Sequence, residues 1–505
     1  MYELGRLQLA RSNYRSAVTL FGRFLELRPW IAQGYWMKSR AHVELDEVEE
    51  AIKTLELSLN YEDDNLENLK MLSKLYEQTA RLDQAKELYR QVLKVGEDPD
   101  IQFRLALMLS EERSFKEAVL ILQKLAKNFP KNVQIKIALG RAQKGQKHYS
   151  DAVEVFRGVL FLEPNHFQAN FELAESLAAL GEREEALKKF GELLQVAQSE
   201  LDRTSIQINL AFIYQDFQEF DKAVEILRKI VEESPENDLA SLRLVYALED
   251  AGELQEALDL SYRLFSKYED RSYEKAPRKS YFVVARAQML SASDDLQKAI
   301  DLLSREIGDH PEAETLYLAG SQLYLDHEKY QEAEHFIRKA MSPDADSAKL
   351  QFQLGAIYER QGEVEKAETA FGKVLETNPQ HAGVLNYLGY MLADRGLRLQ
   401  EALSYIEEAV EIEPHNGAFL DSLGWVYFKL DQLEKAQINL AAAIRINDHD
   451  STIYEHFGDL YFKLMDYDRA RDYYRRSLQF ASKKEQEKVE KKLVEVSQRL
   501  SKNSR

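Results

Sequence analysis

Residues 351–379 read QFQLGAIYERQGEVEKAETAFGKVLETNP, and their spacing decides the fold. Leu354, Gly355 and Tyr358 share one face of a first helix, Ala367 and Phe371 share a face of a second, and Pro379 stops the chain. The same rhythm appears in Leu420, Leu423, Gly424 and Tyr427, followed by Ala436, Leu440 and Ala443. Apolar residues at i, i+3, i+4 and i+7 are the mark of a helix with one buried face, and strand-like alternation is absent.

Outward from this segment, the Ala367 position recurs along the chain. It is occupied by Ala17, Ala51, Ala85, Ala118, Ala152, Ala186, Ala223, Ala257, Ala299, Ala333, Ala367, Ala402, Ala436 and Ala470. Successive intervals are 34, 34, 33, 34, 34, 37, 34, 42, 34, 34, 35, 34 and 34 residues. Twelve residues before most of them stands another small residue: Gly5, Ser39, Ser73, Ala106, Gly140, Ala174, Ala211, Ala287, Ser321, Gly355, Gly424 or Gly458. Two helices can approach closely there. Prolines at 29, 130, 164, 235, 311, 379 and 414 close the units. Each unit is therefore expected to be a helical hairpin. One hairpin cannot bury its apolar face alone, so neighbours must stack, and the expected architecture is all-α.

Composition agrees. The 21 Gly and 10 Pro are about half of the roughly 12 per cent usual in proteins, too few turns for a β architecture. With 45% apolar and 30% charged residues the chain can bury a core and is not globally disordered. The 67 Lys+Arg against 86 Asp+Glu leave a net charge of −19, which argues against nucleic acid and anionic membranes as partners and favours basic or neutral ones. The absence of cysteine excludes disulfides, thiolate zinc sites and thiol catalysis. No apolar run approaches the roughly 18 residues of a membrane span.

The pattern W-x2-L-G-x2-Y, then A-x3-F, then P is that of the tetratricopeptide repeat (TPR), and the chain resembles that family along nearly its whole length. The resemblance implies a right-handed α-solenoid superhelix of about fourteen hairpins. Some copies depart from it: Val245 stands at the small-residue position and Glu269 where proline is expected, so packing irregularity is expected around residues 245–280.

The intervals divide the array into residues 1–265, about eight repeats, and 286–481, about six. Between them, 266–285 contains SKYEDRSYEKAPRKSY with Pro277 and is expected to be an irregular insertion or hinge. Residues 482–505, with Val489, Leu493, Val496 and Leu500 on one face, are expected to form a capping helix. The opening of the first helix is short, and a leader or linker is expected upstream of Met1. An extra residue in 393–398 should lengthen one turn.

A search for chemistry returns little. There is no phosphate-binding glycine loop, no G-x-S-x-G and no H-E-x-x-H, so no enzyme activity, cofactor or metal is expected. His310, His381, His415 and His449 recur near unit ends, where a polar turn residue explains them better than metal ligation. Glu49-Glu50 and Glu184-Glu185 precede second helices, where carboxylates complement the helix dipole.

The stacked first helices offer a concave surface for protein segments. The family's groove positions correspond here to Phe352, Asn386, Tyr390, Asp421, Trp425, Phe428 and Phe462, aromatics interspersed with hydrogen-bonding groups, as recognition surfaces use. The same aromatics would also serve as packing between helices. Lys70, Arg104 and Asn209 do not fall in the arrangement that grips a terminal carboxylate, so chaperone-tail binding is not expected.

Residues 385–396 and 420–427 further resemble a pair of repeats in bacterial multi-repeat proteins, some of them cell-envelope lipoproteins, including adaptors that present substrates to a C-terminal processing protease. This resemblance implies a periplasmic or membrane-anchored location, with the cytoplasm as the alternative. The leading expectation is a non-enzymatic scaffold binding peptide segments or partner helices, and the resemblance implies a protease among its partners. The alternatives are the repeat portion of an enzyme assembly and a protein that self-associates through its end repeats.

Overall fold

All fourteen recurring alanines are 0% exposed in a computed structural model of the chain. The structure describes residues 1–269, 271, 278–341 and 347–503. Among the described residues there are 29 helices and no strand: fourteen hairpins and a last helix, Lys483–Asn503. The eleventh hairpin, from the segment quoted first, pairs Ala348–Gln361 with Val364–Thr377.

Local chemistry sets the helix ends. Each of the seven unit-closing prolines lies two residues beyond the end of a second helix, where a residue without N–H cannot extend it. First helices are started by side chains that accept from their free N–H groups, among them Asn65, Asn132, Asn237, Asn416 and Asp450. His381 does the same through Nδ1 to the N–H of Val384, which bears out its reading as a turn residue. Glu49, Glu50, Glu184 and Glu185 fall in first turns as expected. Inside every hairpin the turn has a residue in the left-handed region, and ten of the fourteen turns manage this without glycine, as at Ala80 and Met465. The twelfth turn uses two, Gly396 and Arg398, and so takes up the extra residue.

The small positions admit the ring of the facing helix. A Cβ on Gly140, Gly355 or Gly458 would lie 2.6, 2.5 or 2.3 Å from Phe156, Phe371 or Tyr474. In the tenth hairpin it is Gly320, next to the expected Ser321, that faces Phe336.

The described residues form two compact units, Met1–Glu172 and Leu173–Arg505. In the first, one core runs from Ala51 through Tyr76, Tyr89 and Leu109 to Ala142. Ion pairs between successive hairpins border it, including Arg81 with Glu49 at 2.6 Å and Arg90 with Glu117 at 3.2 Å.

In the second unit, the 37-residue interval is explained by a 17-residue first helix, Glu200–Asp216, against 13 in its successor Asp238–Asp250. The 42-residue interval lies between helices ending at Ser266 and starting at Lys279. Pro277, residue 270 and the rest of 272–276 are outside the described residues. The expected irregularity ends sooner than 285, because Phe282, Val283 and Ala285 are already buried in the helix Lys279–Ala292. Phe265 and Val283 share one core, and Val245, although larger than the usual residue, is fully buried. Lys279 Nζ pairs with Glu306 at 2.9 Å, both buried, and donates to the Glu269 carbonyl at 2.9 Å. Later in this unit, the turn at Gly181 approaches the Arg445 carbonyl, and a pocket of about 390 Å³ opens there beside Asp216 and Asp448.

The last helix packs against the second helix of the fourteenth hairpin. Val489 and Val496 are fully buried and Leu493 and Leu500 partly so, closing the core that includes Leu460 and Tyr474. Among the described residues, no helix is long and apolar enough to cross a membrane.

Candidate functional site

A cleft of about 630 Å³ opens in the second unit. Its walls come from four first helices, Ala348–Gln361, Ala382–Asp394, Gly417–Lys429 and Ser451–Lys463, and from the last helix, Lys483–Asn503. First helices line it because second helices occupy the other side of each hairpin.

The floor is a stack of rings. Trp425 lies on the His456 imidazole, with centroids 4.1 Å apart and planes 15° from parallel, and Phe428 covers its other neighbourhood at 5.0 Å and 13°. Behind the imidazole, His456 Nδ1 is 2.8 and 3.0 Å from the two carboxylate oxygens of Asp421. His456 is 5% and Asp421 6% exposed. Burial would lower the imidazole, but Asp421, with Asp459 and Glu455, outweighs it and holds His456 above its ordinary value. The contact between the two side chains fixes the ring beneath Trp425.

The walls are mainly acidic. Glu359, Asp394, Glu455, Asp459 and Glu485 line the cleft with Arg360, Lys488 and Lys492. Lys492 bridges Glu455 and, at 2.6 Å, Asp459, while Lys488 reaches Glu455 at 3.0 Å. Burial would raise Glu455, yet the two lysines lower it below the usual carboxylate range. Asp394 is exposed and makes no ion pair among the described residues. Tyr390 projects among these groups, its phenol raised by burial and then by Asp394, Asp421, Glu455 and Glu359.

Of the residues expected at the groove, Tyr390 and Trp425 line the cleft, and Asp421 lies beneath it. Trp425 is only 7% exposed, a largely buried ring in the floor of the cleft. Its Nε1 is buried without an acceptor among the described residues. Phe352 packs among Phe371, Tyr387 and His381 at 5.4–5.9 Å. Phe428 carries the Lys463 ammonium 4.8 Å from its centroid, and Phe462 meets Tyr467 edge-on at 5.5 Å. Asn386 has a buried Oδ1 without a donor among the described residues.

The sequence reading missed Glu455, His456, Asp459, Lys488 and Lys492. A signal existed: Glu455 and Asp459 are one helical turn apart, as are Lys488 and Lys492, so opposite charges match across two helices. The first unit has its own cleft of about 680 Å³, with Phe103, Leu107 and Ile137 on its walls and Arg141 at its edge.

Models described as tetratricopeptide repeat match residues 2–65, 70–133, 137–200 and 209–267, then 324–386, then 419–450 and 451–484. Human "Tetratricopeptide repeat protein 16" is 23% identical over 415 residues, 75% of this chain and 43% of that protein. A TPR repeat-containing protein of Methanocaldococcus jannaschii is 23% identical over 390 residues, covering 70% of this chain and 65% of its own. The chain thus spans less than half of the first relative's length. Among solved structures, yeast Tom70 covers 87% of this chain and 97% of its own at 16% identity and a TM-score of 0.45.

Proposed function

The chain belongs to the tetratricopeptide repeat family, and we propose that it is a non-enzymatic scaffold that binds segments of other proteins, with the cleft at Tyr390 and Trp425 as a binding site. The observation that carries this reading is the cleft itself. It is concave, about 630 Å³ in volume, and combines aromatic rings with charged walls. Such a mixture suits an extended segment, whose side chains are held by rings and whose backbone needs polar partners.

Non-enzymatic is the reading favoured by what the cleft's polar groups do. Asp421 and His456 are paired with each other and covered by Trp425, which leaves neither free as a base. Glu455 and Asp459 are occupied by lysines.

The test is capture of partners from the native source with wild type and Tyr390→Ala, each with its melting temperature. Tyr390 lines the cleft and packs against the core that includes Leu460 and Tyr474, so some loss of melting temperature is expected with it. Loss of a specific protein, measured well below the variant's melting temperature, is expected. Equal capture by both proteins would move the binding surface elsewhere.

A further inference from the structure

Five consecutive hairpins of the first unit expose a large apolar side chain at the same place. Leu27, Tyr61, Val95, Phe129 and Phe161 each lie within two residues of the end of a second helix, at intervals of 34, 34, 34 and 32 residues, and are 40–87% exposed. Trp30 and Leu57, also exposed, widen the stripe beside the first two. Farther along the chain the same place holds Glu233, Lys267 and Asp309, so the fold does not require an apolar residue there. At about 150–250 Å² for a whole aromatic side chain, the exposed parts of the four rings alone come to about 500 Å², within the roughly 300–600 Å² of the largest apolar patch on a monomer. With Leu27, Leu57 and Val95 the stripe approaches the roughly 800 Å² that one partner contributes to a standard interface.

The charges beside the stripe indicate what covers it. Arg28 flanks it in the first hairpin, Glu62, Asp63 and Asp64 in the second, Lys94 and Glu97 in the third, Lys127 and Lys131 in the fourth, and Glu163 in the fifth, all of them exposed. Glu97 holds Lys124 at 2.5 Å, and the others make no ion pair among the described residues. The signs run positive, negative, mixed, positive, negative. In reverse order every sign is inverted.

We infer that this stripe is the interface of a two-fold dimer, in which a second copy of the chain lies antiparallel and the axis passes through the third hairpin. Val95 then meets its own counterpart, Tyr61 meets Phe129, and Leu27 with Trp30 meets Phe161. Arg28 is set against Glu163, the acidic run 62–64 against Lys127 and Lys131, and Lys94 against Glu97. One patch serves both copies, as a two-fold interface demands. A parallel copy would place 62–64 on 62–64. A shift by one hairpin would place Arg28 on Lys127 and Lys131, or 62–64 on Glu163, so like charges reject both arrangements. The net charge of −19 on each copy opposes association at long range, which puts the dissociation constant in the micromolar range. This interface lies in the first unit and is independent of the cleft.

The experiment is sedimentation equilibrium of the full chain from about 1 to about 100 μM. Three charge variants accompany wild type, each with a circular dichroism melt: Asp63→Lys with Asp64→Lys, Lys127→Glu with Lys131→Glu, and all four together. Because the chain has no cysteine, Val95→Cys and Ile438→Cys each supply a single exposed thiol for a short bismaleimide, the second of them outside the stripe.

The expected result is a monomer–dimer equilibrium. Each pair of reversals should weaken it at least tenfold, since like charges then meet at two symmetric places, and the fourfold variant should return to within about threefold of wild type. Val95→Cys should be linked into a covalent dimer and Ile438→Cys should not. A monomer at every concentration overturns the inference. So does a dimer that neither pair of reversals weakens, one that the fourfold variant fails to restore although its melt matches wild type, or equal linking at both thiols. Should a reversal variant melt early, the comparison of the two thiols, which alters no charge at the stripe, carries the decision.

Discussion

Gly389→Ala tests the packing that makes the hairpins possible. A Cβ at this position would lie 2.4 Å from Ile406 Cγ1 and 2.8 Å from the Ala402 carbonyl oxygen. Ile406 is fully buried, and the carbonyl belongs to the facing helix, so the two helices of the twelfth hairpin must separate. Overpacking costs about 1–3 kcal/mol, and a backbone obstacle places this case near about 3. Alanine regains about 1 kcal/mol of helix propensity over glycine, leaving a net loss of about 2 kcal/mol. Gly372, in the helix Val364–Thr377, is the control, since nothing lies within 4 Å of its Cβ position. Gly372→Ala should stabilise by about 1 kcal/mol. Repeat arrays open locally, so the assay is hydrogen exchange by mass spectrometry on the full chain. Peptides covering residues 382–412 should exchange about 30-fold faster in Gly389→Ala, and those covering 364–377 about fivefold slower in Gly372→Ala. Slower exchange in both would refute the close-approach argument.

Further predictions concern other joints. Lys279→Met should destabilise by about 1–3 kcal/mol, because it removes a charged partner of the buried Glu306 and the donor to the Glu269 carbonyl, and urea unfolding should register it as a lower midpoint. Gly181→Ala should cost about 1–2 kcal/mol, since φ is +78° and the Arg445 carbonyl is 3.2 Å from the added Cβ; a midpoint equal to wild type would contradict this. The His456 pair should make the fourteenth hairpin pH-sensitive. Its folded-state value is raised, so its stabilisation is complete below the ordinary value of about 6.5 and is lost as pH rises through the elevated one. Exchange in 451–463, corrected for intrinsic rate, should therefore quicken on the alkaline side, and His456→Gln should abolish that trend.

The sequence made the fold legible because its constraints are steric and periodic. Alanine recurs where two helices touch, and all fourteen are fully buried. The left-handed turn residues were illegible because Ser12, Arg113, Lys147 and Gln218, among others, hold that conformation without glycine. Packing around the turn imposes it whatever the residue. Trp425 was read from the sequence both as a groove ring and as a packing ring, and the structure buries it under a cover, His456, that comes from the next hairpin. The Asp421–His456 contact spans 35 residues and belongs to no pattern within one repeat. Likewise, residues 279–285 looked irregular by interval, yet helical burial resumes at once after Lys279.

The most direct measurement of the central claim is photocrosslinking from within the cleft. Arg360 has an exposed side chain at the cleft, and Ile438, 67% exposed on a second helix, lies outside it. A benzoylphenylalanine placed at each position would be irradiated in the native source, and adducts identified by mass. The account predicts a discrete protein adduct from position 360, mapped to one segment of the partner, and none of that partner from position 438. The same adduct from both positions, or from 438 alone, would contradict a binding site in the cleft.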